Sequence, residues 1–145
     1  MNPRPPKKSL PRALFVCIGN SCRSQMAEAF ARAYGSDVMI PASAGVAPAL
    51  GVAPDTRRAM KEKNISLDDH FPKSVQQLST IHFDIIVNMS GVDLAVDYVA
   101  QVREWNVRDP IGTKYEAHCE IRDQIERLVM ELILELRRDA DAQPA

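Results

Sequence analysis

The sequence lacks long apolar runs, an excess of charge of either sign, and a rich supply of cysteine. No apolar stretch approaches the length of a membrane span, so we expect no membrane association. The formal net charge of −1 gives no electrostatic basis for binding nucleic acid or an anionic membrane. The sequence has only three cysteines and no recognisable export signal. Together these features favour a reducing compartment, and we expect a cytoplasmic protein.

The remaining composition is typical of one globular domain. The chain has 145 residues, of which 46% are hydrophobic and 26% are charged. Residues 1–12 are rich in proline and basic side chains but lack the apolar segment of a signal peptide. We therefore predict a disordered N-terminal tail over residues 1–12. His82, His118 and Cys119 do not have the spacing of metal ligands, and no metal or cofactor is expected.

One stretch combines a buried strand, a short loop and a helix. The apolar run 13–16 predicts a strand, and residues 25–34 have the spacing of a helix with one apolar side. The loop between them therefore lies at a helix N-terminus. Backbone N–H groups and the positive end of the helix converge there, which is suited to binding a tetrahedral oxyanion.

The two ends of this loop carry the candidate chemistry. Cys17 opens the loop and Arg23 closes it, with five residues between them. A thiol beside a helix N-terminus and a guanidinium is favoured as the nucleophilic thiolate. Arg23 offers a planar fork that can bind two oxygens of one oxyanion. Gly19 and Asn20 tolerate the positive φ that a loop curling around an anion needs.

Residues 17–28, with the sequence CIGNSCRSQMAE, resemble the signature of the low-molecular-weight protein tyrosine phosphatase superfamily, which includes the thioredoxin-coupled arsenate reductases. The resemblance extends over residues 13–138 and leaves 139–145 as a C-terminal tail. It implies a single-domain, flavodoxin-like α/β sandwich of three layers. The four-stranded parallel sheet would have the order 2-1-3-4, with helices on both faces. The oxyanion-binding loop would consist of Ile18, Gly19, Asn20, Ser21, Cys22, Arg23 and Ser24.

Hydrophobic periodicity predicts the same alternation of strands and helices. Strands are predicted at 14–16, 38–40, 83–87 and 105–107. Helices are predicted at 25–34, 54–63, 92–102 and 115–138. Gly35 is expected to end the first helix, and Asn64 is expected to adopt a left-handed conformation after the second.

The resemblance also implies an acid and a group of supporting residues. Asp109, before Pro110, would protonate the leaving oxygen and then act as a base, although Asp-Pro is also a common turn. Asn20, Ser24, Ser43 and His70 match a hydrogen-bonding network beneath the loop. Ser24 would donate to the Cys17 sulfur and stabilise the thiolate. For His70, an exposed loop histidine is the alternative interpretation.

The resemblance leaves two functions open, those of the phosphatase branch and of the arsenate reductase branch of the family. Gln25 stands where phosphatases usually carry Pro, which favours the arsenate reductase branch. The redox cysteines that thioredoxin-coupled reductases need after the third strand are missing from residues 87–93, where Ser90 stands about where the first would be. Ile111 replaces the Tyr that stacks on phosphotyrosine.

We therefore favour a phosphomonoester hydrolase of the phosphotyrosine type that acts through phosphocysteine. The alternative is an arsenate reductase regenerated by an external thiol, such as glutathione, mycothiol or a redoxin. A third hypothesis is a non-catalytic, oxyanion-binding regulatory module. Because a reactive thiolate oxidises easily, we also predict that peroxide forms a Cys17–Cys22 disulfide.

Overall fold

The computed structural model describes residues 9–94 and 99–142. All four strands are parallel and form one sheet in the order β2-β1-β3-β4, which confirms the predicted fold class and strand order. In chain order the elements are β1 (Arg12–Cys17), α1 (Arg23–Gly35), β2 (Ile40–Gly45), α2 (Pro54–Lys61), a 3₁₀ helix (Gln76–Leu78), β3 (Ile85–Asn88), β4 (Gln101–Glu104) and α3 (Tyr115–Ala142).

The central strand β1 is buried on both faces. Successive side chains of a strand point to opposite faces of the sheet, so Phe15 and Val16 belong to different core clusters. Phe15 lies in the larger cluster, which contains apolar residues of α1, α2 and α3. Val16 lies in the smaller cluster, against which Leu78 of the 3₁₀ helix packs. The sheet is thereby covered on both faces.

Helices α1 and α3 approach closely at Gly35. A Cβ added to this residue would lie 2.6 Å from Cγ1 of Ile133, so no larger side chain fits without displacement. Helix α1 ends at Gly35 as predicted, but the physical reason differs from the expected one. Gly35 is not among the residues with positive φ, so it serves helix packing and not a left-handed cap.

The second predicted strand is misplaced. Residues 38–40 were expected to form it, whereas β2 runs over Ile40–Gly45. The N–H groups of Val38 and Met39 both donate to the carbonyl oxygen of Gly35, so these apolar residues form the turn after α1. Pro41 lies within β2 because this strand is at an edge of the sheet, where a missing N–H is tolerated.

The prediction for residues 92–107 is also wrong in part. Residues 95–98 of the predicted helix lie outside the described residues, but 101–102 belong to β4. The fourth strand is Gln101–Glu104, and not 105–107 as predicted. This edge strand is mostly exposed and polar, so it has no apolar alternation to mark it. The N–H of Trp105 still donates to the carbonyl oxygen of Asn88 and extends the pairing by one residue.

The long last helix begins at Tyr115 as predicted but continues to Ala142, so the predicted C-terminal tail over residues 139–145 is wrong as far as residue 142. Strand β3 begins at Ile85, two residues later than predicted. Helix α2 begins at Pro54, and Asn64 has a φ of 59°, as expected. The predicted tail over residues 1–12 lies mostly outside the described residues, and β1 begins at Arg12. In the described part of the chain, no helix has both the length and the apolarity to cross a membrane.

Gly45, the last residue of β2, lies directly beneath the loop that follows β1. A Cβ at this position would lie 2.7 Å from the Ile18 carbonyl oxygen and 2.9 Å from the Asn20 nitrogen. Both neighbours are backbone atoms, which cannot rotate away as a side chain can. The backbone of Gly45 also bonds to Lys73 and Val75 on its other side. The loop can therefore sit on β2 only because residue 45 has no side chain.

We predict that Gly45→Ala lowers the free energy of unfolding by about 1–3 kcal/mol, because the added methyl group must displace backbone. Urea denaturation of the purified proteins measures the difference. Gly51→Ala is the matched control, since nothing lies within 4 Å of its added Cβ. Equal stabilities of the two variants would contradict the close approach.

Candidate functional site: the loop between β1 and α1

The backbone of the loop between β1 and α1 turns its carbonyl groups outward. Four of its carbonyl oxygens accept hydrogen bonds of 2.8–3.1 Å from the segment that follows β2. In order, the acceptors are Cys17, Ile18, Gly19 and Ser21, and the donors are the N–H groups of Val46, Ala47, Ala49 and Ala53. The Asn20 carbonyl accepts from the Gln25 side chain, and that of Cys22 from the Met26 N–H.

The N–H groups of the same loop are left available. Among residues 9–94 and 99–142, no N–H from Ile18 to Ser24 donates to another group of the chain. Asn20 has a φ of 49°, which lets the chain curl at the middle of the loop. Helix α1 begins at Arg23 and directs its positive end to the same place. The loop therefore has the geometry of a cradle for an oxyanion, and we refer to it as the cradle.

Cys17 lies at the start of the cradle, at the carboxyl end of the central strand. Its sulfur is 2.9 Å from the Ser24 hydroxyl oxygen, and both residues are buried. A hydroxyl that donates to sulfur stabilises the thiolate over the thiol. The predicted pairing of Ser24 with Cys17 is thus present as a hydrogen bond.

Arg23 is fixed by carbonyl groups from two other parts of the sheet. Its Nη1 donates to the carbonyl oxygens of Met89, at 2.6 Å, and Val107, at 2.9 Å. These acceptors follow β3 and β4, so the guanidinium ties the loop to the other half of the sheet. Its Nη2 lies 3.6 Å from Oδ2 of Asp109. The side chain is only 6% exposed, and its planar fork is held in one orientation.

Asp109 lies opposite the cradle on the loop between β4 and α3. Its Oδ1 accepts a hydrogen bond of 3.0 Å from the Ile111 N–H, and its side chain is 46% exposed. A cavity of about 210 Å³ lies between the two loops. The residues that line it are Cys17, Ile18, Gly19, Ser21, Cys22, Arg23, Ala49, Asp109 and Ile111.

The supporting residues suggested by the sequence are only partly brought together. Asn20 Nδ2 donates to the Ser24 hydroxyl at 2.7 Å. His70 Nδ1 is 2.7 Å from Gln25 Oε1, so it reaches the loop through Gln25. Ser43 lies apart from this group and donates to Glu28 at 2.7 Å.

Gln25 is a residue of the site whose position the sequence did not reveal. It is fully buried in the first turns of α1, and it contacts Asn20, His70 and the Phe71 carbonyl oxygen. The only available signal was the glutamine in place of the usual proline of the phosphatases. Two of these partners, His70 and Phe71, lie 45 and 46 residues away along the chain, which no local pattern predicts.

Cys22 is a buried thiol within the same loop. Burial is the main cause that raises its pKa to about 12. This thiol is therefore protonated at neutral pH and is a slow nucleophile towards an oxidised Cys17. The disulfide between the two cysteines stays a prediction.

Cys119 lies elsewhere, on α3. Its sulfur is 3.5 Å from Oε2 of Glu62, which follows α2, and it does not line the cavity beside Cys17. It packs against the larger core cluster. Cys119 is therefore a structural neighbour of α2 rather than a partner of Cys17.

Comparison with known proteins agrees with this geometry. The glutaredoxin arsenate reductase of Synechocystis sp. is 30% identical over 129 residues, which cover 86% of this chain and 98% of that relative. A solved arsenate reductase in the phosphate binding state is 29% identical, with a TM-score of 0.81 over 88% of this chain and 99% of that one. The low molecular weight protein tyrosine phosphatase from T. tengcongensis is 26% identical, with a TM-score of 0.75 over 88% of this chain and 99% of that one.

These relatives include both phosphatases and arsenate reductases, and the two solved structures share the fold described above. The family model of the low molecular weight phosphotyrosine protein phosphatases matches residues 12–142, which is almost the whole described chain. The chain is therefore an enzyme that belongs to the low molecular weight phosphotyrosine protein phosphatase family.

Proposed function

We propose that the chain hydrolyses phosphate monoesters through a phosphocysteine intermediate. The observation that carries this proposal is one cavity of about 210 Å³ lined by Cys17, Arg23 and Asp109. Ester hydrolysis needs a nucleophile, an oxyanion clamp and a proton donor, and these three side chains supply them. No second thiol and no cofactor are required.

In the first step, the Cys17 thiolate attacks phosphorus. The phosphoryl oxygens lie against the loop N–H groups and the guanidinium of Arg23, which stabilise the charge of the transition state. Asp109 lies across the cavity and donates its proton to the leaving oxygen. Without that proton, an alkoxide or phenoxide would have to depart.

In the second step, water cleaves the phosphocysteine. Asp109, now a carboxylate, takes a proton from the attacking water, and inorganic phosphate and the thiolate are released. Ser24 contributes here as well, because its hydrogen bond to the sulfur makes the thiolate a better leaving group. One carboxyl group therefore serves as acid and then as base.

The substrate class follows from the mouth of the cavity. Ile111 lines the cavity and is 46% exposed, so an apolar surface adjoins the oxyanion site. An aryl group can pack against it, but an aliphatic side chain gives no aromatic stacking. We propose an aryl or similar organic phosphate as the substrate. Three free cysteines fit a reducing, cytoplasmic setting.

Arsenate reduction is the second candidate, and its support is the similarity to the glutaredoxin arsenate reductase. Arsenate has the shape and charge that the cradle binds. Reduction also needs a second thiol to attack the arsenic adduct on Cys17. Ser90 follows β3 where such a thiol is expected, and its hydroxyl donates to Asn88. The reductant would therefore be external, such as glutathione, mycothiol or a redoxin.

The third alternative, a non-catalytic module, is weakened by the intact set of reacting groups. A domain that only binds an oxyanion needs neither a thiol held beside a hydroxyl nor a carboxyl group across the cavity. Cys17, Ser24 and Asp109 are all present in those positions.

We expect Cys17→Ser to lower turnover of an aryl phosphate by more than about 10³-fold, because it removes the nucleophile. Phosphate binding measured by calorimetry should persist, since the loop N–H groups and Arg23 remain. Cys119→Ser is the matched control and should retain activity, because Cys119 lies outside the cavity. Substantial turnover by Cys17→Ser would refute the phosphocysteine mechanism.

We expect Asp109→Asn to slow hydrolysis of esters with poor leaving groups by about 10²–10⁴-fold, and of esters with good leaving groups much less. A series of substituted phenyl phosphates, assayed for kcat/KM at one pH, measures the difference, because kcat/KM reports the step in which the leaving group departs and not the later hydrolysis of phosphocysteine. Asp84→Asn is the control for loss of a carboxylate, because Asp84 directly precedes β3 and does not line the cavity. An equal loss across the series would assign Asp109 a structural role.

For arsenate, we expect little or no turnover with thioredoxin and its reductase alone. Any reduction should require glutathione, mycothiol or a glutaredoxin, and it should survive Cys119→Ser. Coupled oxidation of the reductase's nicotinamide cofactor measures each combination. Rapid turnover with thioredoxin alone that is abolished in Cys119→Ser would overturn this assignment of the cysteines.

A further inference from the structure

A continuous series of hydrogen bonds links His70 to the Cys17 sulfur. His70 Nδ1 contacts Gln25 Oε1 at 2.7 Å, and Gln25 Nε2 donates to Asn20 Oδ1 at 3.1 Å. Asn20 Nδ2 then contacts the Ser24 hydroxyl at 2.7 Å, and that hydroxyl contacts Cys17 at 2.9 Å. Gln25 is the one member with no role assigned above.

The orientation of the Asn20 amide is fixed by a backbone group. The N–H of Lys73 lies 3.0 Å from Asn20 Oδ1, and a backbone N–H can only donate. The oxygen must therefore face Lys73, and the amide nitrogen must face Ser24. With a lone pair of Ser24 occupied by this donor, the single hydroxyl proton is available for Cys17.

The orientation of the Gln25 amide is fixed in the same way. Its Nε2 faces three oxygen acceptors at 3.1 Å, which are the carbonyl oxygens of Asn20 and Phe71 and the side-chain oxygen of Asn20. A reversed amide would place an oxygen against three oxygens. Oε1 consequently faces His70, which must donate from Nδ1–H.

We propose that Gln25 is a positioning residue that makes every donor in this series point towards the Cys17 sulfur. The direction runs from His70 through Gln25, Asn20 and Ser24 to the nucleophile, and no link is reversed. Hydrogen bonds aligned in one direction polarise one another. The series therefore stabilises the Cys17 thiolate more than Ser24 would alone. This inference rests on the proposed function only in taking Cys17 as the nucleophile.

The two ends of the series lie in different surroundings. Ser24 and Gln25 are fully buried, so this part of the series is shielded from competing water. His70 lines a separate cavity of about 480 Å³, together with Glu28, Arg32 and Lys73. Burial lowers the pKa of His70, which favours the neutral ring. Its Nδ1–H remains a donor whether or not the other ring nitrogen is protonated.

The test measures the thiolate directly and needs no turnover. In a Cys119→Ser background, the rate of Cys17 alkylation by iodoacetamide is followed against pH, and mass spectrometry identifies the alkylated residue. Gln25→Met keeps the length of the side chain and removes its hydrogen bonds. We expect alkylation near neutral pH to slow about tenfold, with its pH midpoint moving upward by about one unit. The charged and titratable groups that line the same cavity as Cys17, which are Cys22, Arg23 and Asp109, are unchanged.

Gln76→Met is the matched control, since Gln76 is exposed in the 3₁₀ helix. An alkylation profile of folded Gln25→Met that matches this control would overturn the proposal, even if its melting temperature were lower. If Gln25→Met does not fold, the same alkylation measurement on His70→Phe tests the proposal. This substitution removes only the donor farthest from Cys17, the His70 Nδ1–H, at a partly exposed position. His82→Phe is its control, and identical profiles of these two variants would overturn the proposal.

Kinetics separate this inference from the proposed function. A purely structural role of Gln25 would lower stability without moving the alkylation midpoint. Loss of thiolate should lower kcat for an aryl phosphate more than it changes KM, because the loop N–H groups that bind the oxyanion remain. If the alkylation midpoint shifts in Gln25→Met but the chain without substitutions hydrolyses no ester, the proposed function fails and the positioning role of Gln25 stands.

Discussion

The site depends on holding the carbonyl groups of one short loop away from its centre. Every carbonyl oxygen from Cys17 to Cys22 accepts a hydrogen bond from another group, mostly from the segment that follows β2. Because peptide groups are planar, a carbonyl turned outward turns the next N–H inward. The loop can then offer several donors to one point without a side chain. If those carbonyl partners were lost, the same residues would form an ordinary connection between a strand and a helix.

Two constraints outside the loop maintain this arrangement. Gly45 lets the loop lie against β2, and Arg23 ties it to the carbonyl groups that follow β3 and β4. All four parallel strands therefore end around one cavity, as ligand sites in such sheets do. Asp109 completes the site from the opposite loop, anchored by the Ile111 N–H. The proposed nucleophile, Cys17, is thus buried, while the proposed acid is half exposed.

Sequence reasoning predicted the parts of this protein that local patterns determine. The Cys17–Glu28 signature, the buried β1 and the long α3 each have a local pattern, and together with the family resemblance they led to the fold and the strand order. The placement of β4 was wrong because this edge strand is mostly exposed and has no apolar alternation. The placement of β2 was wrong because its sequence, IPASAG, consists mostly of small residues and a proline, which do not favour strands. The position of Gln25 was missed because contacts with His70 and Phe71 exist only in the folded chain. Ser43 was grouped with the loop, but it donates to Glu28.

A cradle built from backbone N–H groups recognises shape and charge, and it does not distinguish phosphorus from arsenic. For a hydrolase, the inorganic phosphate that it releases has the same geometry as the group it binds. The end product is then also a competitive inhibitor, and the phosphate level around the enzyme sets the fraction of empty sites. A reductase with the same cradle would meet the same competitor. The cellular phosphate concentration would therefore determine how much arsenate it could process.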